Sequence, residues 1–198
     1  MSSIFIFGLG AIGSNLMLQL AQKYPNFKFT GIDFDTVEER NVATQQYIIP
    51  QIGMKKAHAM QVILGMNLRR VSYTGVVQKI ENTGQVSSLI GRSDEPVLLI
   101  DCFDNTESRK ILHKFASNVD ILHIGFSPQY TAEIIWDEDY TVPNDIPADQ
   151  NDICEMSEAV PFINFVVSLA CMTISDFFST GIKKSLLVTN KNNILKLN

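Results

Sequence analysis

The chain opens with a short apolar run at residues 4–7 that stops at glycines, and apolar residues then recur at helical spacing over 11–22. A second apolar run at 27–32 completes a strand, helix, strand unit of about 30 residues, the size at which a parallel crossover closes. The alternation continues with a helix over 55–66, strands at 71–77 and 97–100, and a helix over 107–116. Strands at 121–125 and 132–136 follow, then an acidic stretch with prolines and no period at 137–153, which reads as a loop. An apolar helix is expected over 159–178. Residues 185–197 read as two short strands around Asn190, Lys191, Asn192 and Asn193, where asparagine tolerates the positive φ of a hairpin turn. The pattern predicts an α/β fold: a Rossmann-like, doubly wound sheet, parallel in its first half, antiparallel later and closed by a C-terminal hairpin.

Composition narrows this picture. A chain of 198 residues, 45% of them hydrophobic, is long enough to bury one core, so residues 1–198 are expected to form a single nucleotide-binding domain. A net charge of -5 offers no basic excess, and no local basic patch points to nucleic acid. Three cysteines without a C-x-x-C pair make neither a disulfide framework nor a closed zinc site. No basic segment precedes the first apolar run, and the expected location is the reducing cytoplasm. The run at 159–178 nears membrane-spanning length but carries Pro161, Asn164, Ser168, Thr173, Ser175 and Asp176, so a buried helix is expected and no membrane role.

The candidate chemistry begins at the first turn. Gly8, Gly10 and Gly13 form G-x-G-x-x-G between strand and helix, where small residues let backbone approach a phosphate and the helix N-terminus offers free N–H groups. Asp33, about 20 residues after Gly13, closes the next strand, where a carboxylate can accept ribose hydroxyls. This pair favours a nucleotide site over glycines that merely ease helix packing, without separating a dinucleotide from ATP.

Further residues carry a resemblance. The segment GIDFDTVEERNVATQQ holds Asp33, Asp35, Asn41 and Gln45; IGMKKA places Lys56 three residues after Gly53; DCFDNTESR holds Asp101, Asp104, Asn105 and Arg109. In this order the series resembles the ThiF/MoeB/HesA adenylyltransferases related to ubiquitin-activating enzymes. The later segment, with Cys154, Pro161, the apolar helix and the closing hairpin, is similar to the same family with lower specificity. The resemblance implies ATP in the glycine turn, ribose on Asp33, and phosphate handled by Asn41, Gln45 and Lys56. It implies Mg²⁺ on Asp104, with Asp35 in the binding set. The chief catalytic candidates are Lys56, Asp104 and Asn41. The implied activity is ATP- and Mg²⁺-dependent adenylation of the C-terminal carboxylate of a small ubiquitin-like or sulfur-carrier protein, by a homo- or hetero-dimer. Arg109 is expected to anchor Asp101 or Asp104.

The sequence also departs from that pattern. Thr44 stands where the family's N-x-x-R-Q segment places an arginine, and Arg40 or Lys55 are the candidate substitutes. The first strand starts directly after Met1, without the preceding helix of many relatives, and their paired zinc cysteines do not occur. The alternative is therefore a non-catalytic nucleotide-binding subunit of a hetero-oligomer. An NAD-dependent oxidoreductase ranks third, because it gives no reason for the segments around Asn41, Lys56 and Asp104. Cys154 is the candidate thiol nucleophile, though Asp152 and Glu155 beside it would raise a thiol pKa and a structural role is preferred. Cys102 and Cys171 are expected to pack. His58, His113 and His123 share no short metal-ligand spacing and receive no role. Asp137, Glu138, Asp139, Asp145, Asp149 and Asp152 read as a solvated connection, with a lid or partner-binding segment as the alternative.

Overall fold

The computed structural model describes residues 2–68, 70–91, 97–116, 119–127, 130–143, 157–189 and 194–197. Its first strand, β1 (Ser3–Phe7), is buried on both faces, as a strand covered by helices on each side must be. Ile4 and Ile6 enter one core, Phe5 and Phe7 the other. β2 (Lys28–Ile32), β3 (Ser72–Val76), β4 (Val97–Asp101) and β5 (Asp120–Ser127) join it in parallel, in the spatial order β3-β2-β1-β4-β5. β6 (Thr131–Trp136), β7 (Ser185–Thr189) and β8 (Ile194–Leu197) extend the same sheet antiparallel, in that order. The expected Rossmann-like sheet and its later antiparallel half are both present; the turn predicted at Asn190–Asn193 lies outside the described residues.

Helices cover both faces. α1 (Ala11–Lys23), α2 (Lys56–Asn67) and α5 (Val160–Thr180) pack on the face of Ile4 and Ile6. α3 (Thr83–Ile90) and α4 (Thr106–Phe115) pack on the face of Phe5 and Phe7 through Val86 and Leu112. α3 was not expected from the sequence, where its apolar spacing is limited to Val86, Leu89 and Ile90 within eight residues. Its signal is a capping box instead: Asn82 Oδ1 accepts the amide of Gln85 at 3.0 Å, while Gln85 Oε1 accepts the amides of Asn82 and Glu81. The helical span Ser157–Thr180, which contains α5, is long and apolar enough to cross a membrane by length and composition. Here it lies against α1 and buries Phe162, Ile163, Val166, Val167, Ala170 and Ile174.

The acidic run is not a plain solvated connection at its start. Asp137–Asp139 forms a 3₁₀ turn in which all three acids find partners: Asp137 the imidazoles of His113 and His123, Glu138 the ammonium of Lys183, and Asp139 the hydroxyl of Ser185 at 2.7 Å. Asp145, Asp149, Asp152 and Cys154 lie outside the described residues.

One consequence of the strand order positions the site. From β1 the chain steps outward to β2 and β3 on one side and to β4 and β5 on the other, so the ends of β1 and β4 flank a crevice where α/β sheets take ligands.

Candidate functional site

The three glycines at the end of β1 are small for three different reasons. Gly8 adopts φ +88, and a Cβ there would lie 2.8 Å from the Cys102 carbonyl. A Cβ on Gly13 would sit 1.9 Å from the Gly8 carbonyl, so this glycine lets α1 close onto the turn. Gly10 has nothing within 4 Å of the Cβ position and is the N-cap of α1, where no side chain caps the helix. The first two build the turn, and the third leaves open space in front of the helix N-terminus, where a phosphate would be favoured.

Asp33 follows β2 and ties the turn to the neighbouring strand. Its Oδ2 accepts the amide of Leu9 and its Oδ1 the amide of Asp35, both at 2.7 Å. Burial pushes its pKa up from the ordinary aspartate range, against the opposing pull of Lys56 and the two amides. Lys56, at the first turn of α2, is itself buried and directs Nζ to within 3.4 Å of Asp35 Oδ2, while its amide bonds the Asp35 carbonyl. Asp33, Asp35, Lys56 and the glycine turn thus form one connected group.

The other predicted residues divide. Asn41 is buried and its Oδ1 accepts the amide of Glu38, so it shapes the turn after β2. Gln45 has a buried Oε1 with no hydrogen-bond partner among the described residues. Thr44 is buried and its carbonyl accepts the Asn15 amide at 2.9 Å. The candidate substitutes for the absent arginine are engaged: Arg40 pairs with Glu38 at 2.7 Å and Lys55 donates to the Phe34 carbonyl at 2.8 Å. Asp104 is exposed in the loop after β4, where its Oδ1 accepts the Asn105 side chain.

Arg109 keeps Asp101 as a charge partner but hydrogen-bonds elsewhere. Its guanidinium donates to the carbonyls of Phe103 and Ile124 and to the Tyr140 hydroxyl, so it braces the loop after β4 without a hydrogen bond to Asp101 or Asp104. Cys102 and Cys171 have thiol pKa values raised by burial, as packing residues should.

Sequence reasoning missed several residues that hold the site. Tyr47 donates its hydroxyl to the Leu9 carbonyl at 2.8 Å, and Asn15 binds the carbonyls of Ala11 and Thr44 as well as the Gln46 side chain. The signal for Asn15 was the polar Ser14–Asn15 pair within the apolar first half of α1. His123 interrupts the apolar β5 and meets Asp101, its register partner on β4, at 2.8 Å.

The sheet order, the glycine turn at its switch point and the acid at the end of β2 define a Rossmann-like protein. The ThiF family model matches residues 1–191, and the chain belongs to the ThiF family. Similar solved structures include PaaA, at 17% identity and a TM-score of 0.74, covering 100% of this chain and 64% of that one. E. coli MccB with ATP matches at 14% identity and a TM-score of 0.75, covering 99% of this chain and 63% of that one. The microcin C7 biosynthetic enzyme MccB in complex with N-formylated MccA matches at 16% identity and a TM-score of 0.76, covering 99% and 64%. The chain therefore spans less than two thirds of the length of these structures, and at such identities the likeness is one of fold. No curated protein matches.

Proposed function

We propose that this chain binds ATP with Mg²⁺ at the ends of β1, β2 and β4 and transfers the adenylyl group to a carboxylate. The simplest acceptor is the C-terminal carboxylate of a small ubiquitin-like or sulfur-carrier protein. The observation that carries this reading is the buried Lys56 ammonium beside Asp35 and Asp33, joined through the Leu9 amide to a helix N-terminus left open at Gly10. Membership of the ThiF family and the MccB structure with ATP support ATP over NAD. In this reading residues 1–198 act as one nucleotide-binding domain, in a homo- or hetero-dimer in the cytoplasm.

A carboxylate oxygen attacks the α-phosphorus of ATP, the bond to the bridging oxygen of the β-phosphate breaks, and pyrophosphate leaves with that electron pair, giving an acyl adenylate. Asp33 accepts ribose hydroxyls on lone pairs that the Leu9 and Asp35 amides leave open, and Lys56 and the first turn of α1 face the charge on phosphate. The Gln45 Oε1 offers a further acceptor. Asn41 holds the turn through Glu38 and acts as a positioning residue. Asp104 fits a hard cation, since its carboxylate is exposed in the loop bordering the crevice, and it would hold Mg²⁺, whose chemistry is to offset charge on the departing oxygens.

A specific observation favours a second reading, a nucleotide-binding subunit that performs no chemistry. Thr44 occupies the position of the family's arginine, and Arg40 and Lys55 are engaged with Glu38 and the Phe34 carbonyl.

Thermal unfolding with ATP and Mg²⁺, with NAD, and with neither tests the site. Ligand at about 100 times its Kd adds about 2.7 kcal/mol, a rise of about 5 to 10 °C for this size. A rise with ATP followed by pyrophosphate exchange supports the enzyme. A rise without exchange, even in the presence of a complete family subunit and its carrier protein, favours the second reading, and a rise with NAD alone overturns both.

A further inference from the structure

We propose that His113 Nδ1, His123 Nε2 and Asp137 Oδ1 form a binding site for a divalent transition metal of the zinc type, on the α3/α4 face of the sheet. Three segments far apart in sequence converge there. His113 comes from α4, His123 from β5 and Asp137 from the turn after β6, and the two ring nitrogens lie 2.9 and 2.8 Å from the same carboxylate oxygen. The three ligand atoms all lie within 4.8 Å of one another.

The surroundings are those of a metal-ligating histidine. Such a ring usually gives its second nitrogen to a carboxylate that fixes its tautomer and orientation. His123 does this through Nδ1, 2.8 Å from Asp101 Oδ2, and both side chains are fully buried. Asp101 is fixed in turn, because its Oδ1 accepts the Phe103 amide at 2.9 Å. Tyr140 stacks on the His123 ring at 3.7 Å and 6°, and its hydroxyl accepts from Arg109. The ring therefore cannot rotate without breaking contacts on several sides.

A dication would satisfy the ligand atoms of all three residues together.

Tetrahedral zinc with bonds of about 2.0–2.1 Å sets neighbouring ligand atoms about 3.3 Å apart, so each ring nitrogen must move about half an ångström away from Asp137 Oδ1. His113 and Asp137, with side chains 38% and 18% exposed, are free enough to do so. A cavity of about 360 Å³, lined in part by Asp120, Asp137, Glu138 and Lys183, borders the carboxylate of this group. Two imidazoles select zinc-type ions over Mg²⁺ or Ca²⁺, which prefer oxygen.

The test is titration of the chelator-treated full chain with zinc by calorimetry, and with cobalt followed by its visible d–d absorption. The expected result is one site per chain with a tetrahedral cobalt band, undisturbed by excess Mg²⁺. His113→Gln and Asp137→Asn change partly exposed side chains and should remove the site, while Asp101→Asn, a positioning change, should weaken it about 10- to 100-fold. His58→Gln, at an exposed histidine, should bind as the parent does. Absence of stoichiometric binding, binding that survives both His113→Gln and Asp137→Asn, or an intense near-ultraviolet thiolate band would overturn the proposal. Circular dichroism and the unfolding midpoint of each variant separate loss of the site from loss of the fold.

Discussion

The carboxylate of Asp33 accepts the amide of Leu9 at 2.7 Å, joining the acid at the end of β2 to the glycine turn after β1. Its other oxygen accepts the amide of Asp35 at the same distance. Both donors belong to backbone that frames the crevice, so the residue expected to meet ribose also sets the shape of the turn that would meet phosphate.

Asp33→Asn should therefore affect both stability and binding. An amide offers one acceptor where the carboxylate offers two, so one amide N–H is left facing an NH₂ group, at a cost of about 1–3 kcal/mol. The pH dependence has a defined sign. Burial raises the folded pKa of Asp33 above 3.8, so its contribution to stability is fully present below 3.8 and is lost as the pH rises through the folded value. The stability of the parent relative to the variant should grow on acidification through that window. Urea unfolding from neutral to acidic pH measures both effects; a variant as stable as the parent at neutral pH, with a constant difference below it, would count against this account.

The glycines should separate by role. Gly13→Ala places a methyl group 1.9 Å from the Gly8 carbonyl, a backbone atom, and should destabilise the chain by at least about 1–3 kcal/mol. Gly10→Ala meets nothing within 4 Å and should leave stability within about 0.5 kcal/mol, while its methyl group occupies the space in front of α1. Nucleotide affinity should fall at least about tenfold, or about 1.4 kcal/mol. Unfolding midpoints and calorimetric titration with ATP check the pair; equal behaviour of the two variants would refute the division.

Lys56→Met tests the charge without removing the bulk. The side chain is 10% exposed, so an apolar residue of similar length fills its space, and any loss of function is chiefly loss of the ammonium. On the adenylation reading, pyrophosphate exchange should drop about 10²–10³-fold, the scale of losing one fixed electrostatic group at a reacting centre. Exchange within a few fold of the parent would show that Lys56 is a structural partner of Asp35.

Much of this arrangement was legible in the sequence because it depends on local rules. The glycine turn, Asp33 and the strand alternation follow from short-range geometry and periodicity, and the sheet order agrees with the alternation. What escaped depends on tertiary contact. α3 is only eight residues long, and its apolar stripe is confined to Val86, Leu89 and Ile90. Tyr47 reads as one more apolar residue until its hydroxyl is seen on the Leu9 carbonyl. His113, His123 and Asp137 have no common spacing because they come from a helix, a strand and a turn that only the folded sheet brings together.

Arg109 shows how a residue can be singled out correctly and its partners misjudged. The motif suggests an anchor for Asp101 or Asp104, yet the Arg109 donors go to the carbonyls of Phe103 and Ile124 and to the Tyr140 hydroxyl, with Glu133 3.8 Å away and Asp101 felt through its charge. A lysine carries the same charge but cannot reach three acceptors set around a planar fork. Arg109→Lys should leave at least one buried acceptor without a partner and lower stability by about 1–3 kcal/mol. It should also loosen Tyr140 from the His123 ring, which its hydroxyl contact helps to hold in a stack. Chemical denaturation reads the first effect, and the His123 ring resonances, shifted by the stacked tyrosine, read the second. An unchanged midpoint with unchanged resonances would mean that the fork contributes little and that Phe103 and Ile124 find water instead.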